Sequence, residues 1–111
     1  MNSEAIINEI RSGKLHSIYL LHGEEAYFVD RITNVLENEV IDESLSDFNR
    51  VVLYGKDATA EQIVSSARRL PMMGNKQLVL LKEAQEFRNW EDVVVYLNQP
   101  QETTILALCF K

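Results

Sequence analysis

Residues 20–30 read Leu20-Leu21-His22-Gly23-Glu24-Glu25-Ala26-Tyr27-Phe28-Val29-Asp30, LLHGEEAYFVD, an apolar run that breaks at a glycine and reopens as a helix-like segment. Strand, glycine turn and helix in that order mark where a phosphate-binding loop sits in α/β proteins. Such a loop needs G-x-x-x-x-G-K-[S/T]. Its glycines turn backbone N–H groups inward, its lysine meets the phosphates and its hydroxyl binds magnesium. Counted from Gly23, the second glycine position holds Phe28, the lysine position Val29 and the hydroxyl position Asp30, while Glu24 and Glu25 would repel a triphosphate. The layout is that of a nucleotide-binding fold with the site chemistry gone.

Working outward, the pattern repeats. Residues 3–10 predict a short helix with Ser3 as N-cap and Ala5, Ile6, Ile7 and Ile10 on its apolar face, ended by Gly13. An apolar strand is expected over 17–21. A helix follows over 24–40, with Tyr27, Ile32, Val35, Leu36 and Val40 at helical spacing and an acidic first turn suited to the positive end of the helix dipole. Residues 42–47 read as a polar connection. A β-branched strand spans 49–54 and closes at Gly55. Thr59-Ala60-Glu61-Gln62 has the form of a capping box and starts a helix to about residue 69, which must stop before Pro71. A third strand is expected over 77–81, a helix around Trp90, Val93, Val94 and Leu97 over 89–98, and a fourth strand over 103–110. Strands without a polar face, alternating with helices, imply a mainly parallel sheet covered on both sides by right-handed crossovers. The chain ends on a strand, which favours one domain, 1–111, as the N-terminal part of a longer protein.

Composition narrows the function classes. Among 111 residues, 46% are apolar and 25% charged, as in ordinary globular proteins, and the net charge of −6 disfavours autonomous binding to a phosphate backbone. Cys109 is the one cysteine and lies in an apolar run, so it reads as a buried structural thiol. No run approaches the roughly 20 apolar residues that span a membrane, and the N-terminus lacks a signal-peptide pattern. These features predict a soluble, cytoplasmic protein. His16 and His22, six residues apart, match no metal-ligand motif or triad. Asp30, Glu37, Glu39, Asp42 and Glu43 read as a solvated helix face and its exit. The third strand ends in Lys82-Glu83 where a nucleotide enzyme carries its metal-binding carboxylate. No catalytic site, metal or cofactor is implied.

The connection Arg68-Arg69-Leu70-Pro71-Met72-Met73-Gly74-Asn75-Lys76-Gln77 carries the strongest binding signal. Pro71 and Gly74 bracket two methionines, whose flexible, polarizable chains suit an adaptable contact surface. The residues leave two readings open: the pair faces a partner, or it folds back over the sheet edge. Arg68 and Arg69 either rim the patch or complement the helix dipole.

Taken together, "IYLLHGEEAYFVDR", "FNRVVLYGKDATAEQIVSSARRLPMMGNKQLVLLKEA" and the closing "TTILALCFK" resemble the N-terminal domain of the delta subunit of the bacterial DNA polymerase III clamp loader, over almost the whole chain. The resemblance implies a three-layer AAA+-like, P-loop-type α/β domain that does not hydrolyse ATP. It also implies a part in a DNA polymerase holoenzyme, as the subunit that binds the β sliding clamp and helps open it. Met72 and Met73, preceded by Leu70 and Pro71, fall where the family inserts two apolar residues into a clamp pocket. This chain departs from the family in lacking the more usual aromatic or leucine there. Lys76 and Gln77 match the supporting basic and glutamine positions. Partners implied are the clamp, other clamp-loader subunits through a C-terminal region, and DNA only within the complex. Two other classes fit the residues: an NTP-using enzyme with an unusual loop, and a flavodoxin-like regulatory or ligand-binding domain with Glu24, Glu25 and Asp57 near strand ends. A receiver-type domain would need an aspartate where Lys82 stands.

Overall fold

The structure, a computed structural model, describes residues 3–23, 25–71 and 76–110. Eight of the elements alternate as expected: α1 (Ser3–Arg11), β1 (Ile18–Leu21), α2 (Ala26–Glu39), β2 (Arg50–Tyr54), α4 (Ala60–Arg68), β3 (Gln77–Lys82), α5 (Trp90–Asn98) and β4 (Thr104–Cys109). Two departures occur between α2 and β2. The expected polar connection is a 3-10 turn, Glu43–Leu45, running into the one-turn helix α3 (Ser46–Asn49). Asp42 starts it by accepting from the backbone N–H and the hydroxyl of Ser44 at 2.9 and 2.7 Å, a local turn that periodicity cannot reveal. A further 3-10 turn, Ala84–Glu86, follows β3.

The four strands are parallel in the order β1-β4-β3-β2. From β1 the chain crosses to the far edge, then steps back through β3 to β4. Reversal of direction puts α2 on one face and α4 and α5 on the other, because each parallel crossover keeps one hand. The result is three layers. One core joins Ile7 and Ile10 of α1 and Val29, Ile32, Val35 and Leu36 of α2 to Leu78, Leu80, Ile105 and Ala107 of the sheet. The other joins Ile63, Ala67, Val93 and Tyr96 to Val79, Leu81, Leu106 and Leu108. Alternate residues of β3 and β4 therefore serve opposite cores, which is why these strands read as unbroken apolar runs.

The helix ends follow their chemistry. Gly13 takes φ 90°, and the N–H groups of Gly13 and Lys14 donate to the carbonyls of Ile10 and Glu9 at 3.1 and 3.0 Å, a Schellman stop. Thr59 and Gln62 form the reciprocal capping box, with both bonds at 3.0 Å. Helix α2 corrects the expectation. It begins at Ala26 with Glu25 as an N-cap that makes no side-chain bond, so its first turn carries no acid. Tyr27, expected on the apolar face, is 65% exposed and meets Phe28 edge-on at 5.3 Å, whereas Val29 takes the buried position. Among the described residues no helix is long and apolar enough to cross a membrane.

Candidate functional site

Two ends of the sheet compete as sites. At the carboxyl ends of the strands, where α/β folds usually hold ligands, a cleft of about 310 Å³ is lined by Asp30, Thr33, Asn34, Tyr54, Lys82, Glu83 and Cys109. Its residues do not assemble into phosphate chemistry. Val29, at the lysine position, is buried in the core, and Phe28 is half exposed beside Tyr27. Asp30, at the hydroxyl position, lines the cleft. Gly23 needs no left-handed backbone, and a Cβ there would meet nothing within 4 Å. Glu24 lies outside the described residues. The Lys82 ammonium sits 2.9 Å from the Glu37 carboxylate, and both side chains are mostly buried. Glu37, expected on a solvated face, is thus the ion-pair partner of the residue that replaces a metal-binding acid.

Beside the cleft the backbone is crowded where β2 and β3 end. Glu83 adopts the left-handed region at φ 53°, the one described non-glycine residue with positive φ, a conformation costing about 1–2 kcal/mol outside glycine. Its carbonyl crowds Gly55, where a Cβ would collide with the Glu83 oxygen. Gly55 is therefore required by close approach, with its N–H donating to the Lys82 carbonyl at 2.8 Å. Cys109 is buried as expected and lies 3.3 Å from the Thr33 hydroxyl. That hydroxyl already donates to the Val29 carbonyl at 2.7 Å, so the thiol is the donor to it. His16 and His22 lie at opposite ends of β1. The His16 ring packs edge-on against Tyr19 and stands 3.6 Å from the Glu9 carboxylate.

At the amino ends of the strands the construction is different. Met72, Met73, Gly74 and Asn75 lie outside the described residues, but both stems of their loop are defined. Leu70 is 68% exposed and Pro71 is half-buried. Arg69 donates from Nη2 to the Phe48 carbonyl at 3.2 Å, which ties α3 to the loop stem. The Phe48 side chain is 49% exposed. Phe48 was not legible as a site residue, because it follows a polar segment and only the β2–β3 register, Arg50 opposite Leu78, brings it to this edge. On the other stem, the Lys76 ammonium donates to the Glu102 carbonyl at 2.7 Å. Gln77 is buried, and its amide nitrogen reaches the end of α4 and the hydroxyl of Thr104. Arg68 lies over the Tyr96 ring at 5.1 Å, a contact that fixes the charge on α5.

The chain is similar to known proteins in sequence and in fold. Residues 19–111 match the family model described as DNA polymerase III, delta subunit. The DNA polymerase III subunit delta of Bacillus subtilis is 29% identical over 73 residues, which is 66% of this chain and 21% of the relative. The solved Bacillus subtilis DNA clamp loader delta protein superposes with a TM-score of 0.88 over 97% of this chain and 35% of that one, at 23% identity. The chain thus spans about a fifth of the curated relative and a third of the solved one. The superposition agrees with the AAA+-like α/β fold that the family resemblance implied.

Proposed function

The chain belongs to the DNA polymerase III delta subunit family, and we propose that it is the part of a clamp-loader delta subunit that binds the β sliding clamp and helps open it, without hydrolysing ATP. The observation that carries the reading is the exposed Leu70 at the end of α4. It leads through Pro71 into the methionine pair and stands at the same sheet edge as exposed Phe48. Leu70, Pro71, Met72 and Met73 are the apolar insertion, and Phe48 widens it. Lys76 and Gln77 support the loop from its far stem.

Two buried apolar side chains supply about 1.5–3 kcal/mol each. That energy opens a ring only in so far as the surface they enter favours the open or distorted clamp interface. The motor chemistry then belongs to ATP-binding sister subunits. The absence of work at the cleft supports this division: the lysine position is buried valine and the acid position is a lysine already paired with Glu37. An acidic chain of net charge −6 meets DNA through the assembled complex rather than alone.

Surface plasmon resonance against the cognate clamp tests the reading. The wild-type chain binds at micromolar concentration or tighter, and a Met72→Ala/Met73→Ala double variant of unchanged melting temperature loses about a hundredfold in affinity. Equal binding by both would move the contact away from this loop. No binding by wild type, with folding intact, would remove the clamp reading for this domain.

A further inference from the structure

The cleft at the carboxyl ends of the strands has lost phosphate chemistry, yet its lining has a charge preference of its own. Lys82 is the one cation among its described lining residues, and the Glu37 carboxylate engages it at 2.9 Å. Asp30 and Glu83 line the same cleft, so three carboxylates stand there for one ammonium. Among the described residues Glu83 has no ion-pair partner. The donors of the wall are largely engaged. Thr33 donates to the Val29 carbonyl, the Cys109 thiol to Thr33, and the Lys82 ammonium faces Glu37. What the wall presents most of is acceptor oxygen, on Asp30, Asn34 and Glu83, and a carboxylate accepts several bonds at once. Tyr54, paired in register with Lys82, adds an aromatic ring that is 49% exposed.

Glu83 holds its place at a cost. Its φ of 53° is a conformation that glycine takes freely and other residues do not. Glycine at 83 would relieve the backbone and remove a carboxylate from the cleft. A backbone outlier of this kind is kept by the structure around it, here by the close approach of Gly55.

This lining repels anions. It does not serve a metal ion either, since among the described residues no group of three or more His, Cys, Asp or Glu is placed to hold one. Its complement is an organic cation with a flat face. A guanidinium bonds a carboxylate through two parallel N–H groups and stacks on an aromatic ring, whereas an ammonium offers only a point charge. At about 310 Å³ the cleft is at the small end of ligand sites, sized for one side chain.

We propose that this cleft receives an arginine side chain from a second polypeptide, with Glu83 and Asp30 as its anionic partners and Tyr54 as the ring against which it stacks. The family is that of a polymerase subunit, so neighbouring protein surfaces, and not free amines, are the source of the cation. The inference is independent of the clamp-binding reading, which concerns the opposite end of the sheet.

The test is an amide NMR titration of the isotope-labelled chain with a capped Gly-Arg-Gly peptide, beside the same peptide carrying citrulline, which keeps the shape and lacks the charge. The arginine peptide is expected to shift amides around Asp30, Asn34, Tyr54 and Glu83 and to saturate with a Kd of about 1–10 mM. The citrulline peptide leaves them in place. Glu83→Gln, at an exposed position, weakens the arginine peptide about two- to fivefold, and Asp30→Asn by a similar factor. Lys82→Met acts in the opposite direction, tightening binding about two- to threefold, because it leaves Glu37 to the ligand. That reversal separates a charge effect from structural damage, which only weakens binding. Equal shifts from both peptides would overturn the proposal, as would a Lys82→Met chain with a native spectrum and weaker binding. Shifts of the same amides by tripolyphosphate would make the cleft an anion site instead. No shift from the arginine peptide at about 20 mM would also overturn it.

Discussion

The two ends of the parallel sheet are built on opposite principles. The carboxyl end keeps the crevice of a nucleotide-binding fold but fills its chemical positions with a core valine, a paired lysine and a crowded Gly55–Glu83 contact. The amino end, ordinarily the structural side of such folds, carries exposed Leu70 and Phe48 and a buried contact between Gln77, Thr104 and the end of α4. On the proposed reading, a fold retains its architecture while its binding energy moves to the other end of the same strands. Strand β3 links the two, because Lys82 pairs with Glu37 at the crevice five residues after Gln77 bonds the end of α4.

The largest expected effect lies at the crevice. Gly55→Ala drives a methyl group into the Glu83 carbonyl and should cost about 2–3 kcal/mol in urea unfolding. On the clamp-binding proposal, the folded fraction should keep the affinity of wild type. A loss of clamp affinity per folded molecule would show that the two ends are coupled, and would break the comparison. Next comes the ion pair. Lys82→Met leaves Glu37 without its partner in a mostly buried site and should cost about 1–2 kcal/mol, with Glu37→Gln in the same chain recovering part of it. Titration calorimetry should detect no ATP binding by the wild type or either variant; binding would restore the crevice as a working site.

The smallest effect concerns the exposed Arg11–Glu39 pair, which joins α1 to α2 through two bonds of 2.9 Å. The Arg11 guanidinium holds the Glu39 carboxyl below its ordinary value of 4.5. A carboxyl lowered on folding contributes stability above its unfolded value, and that contribution disappears as pH falls through the folded one. Wild type should therefore exceed Glu39→Gln in stability at neutral pH, by an amount that shrinks as pH falls through the lowered folded value of Glu39, and that also shrinks at about 1 M salt. A difference that persists in acid would assign the effect to packing instead of charge.

Legibility in the sequence followed distance along the chain. The capping box at Thr59, the stop at Gly13 and the strands around 18–21, 50–54, 77–82 and 104–109 were readable because each depends on neighbours within a few residues. Helix α3 escaped notice because a single turn among Ser, Asp and Asn has no period to detect. Tyr27 was misplaced by two positions in the helical face, since two adjacent aromatics precede Val29 and only packing chooses which residue turns inward. Gln77 was visible as a supporting position, but its bonds reach 8 to 27 residues away, and Gln101 and Thr104 carried no signal at all.

By itself the sequence determined the order and type of nearly every element, the loss of phosphate chemistry and the position of an apolar loop. Periodicity, caps and missing side chains are local properties, and they survive in any arrangement of the elements. The tertiary structure decided the strand order, the pairing of Lys82 with Glu37, the crowding of Gly55 and the buried bond between Gln77 and Thr104. Each of these needs groups far apart in the chain to be brought within a few ångströms, and only the folded sheet, with α2 on one face and α4 on the other, does that.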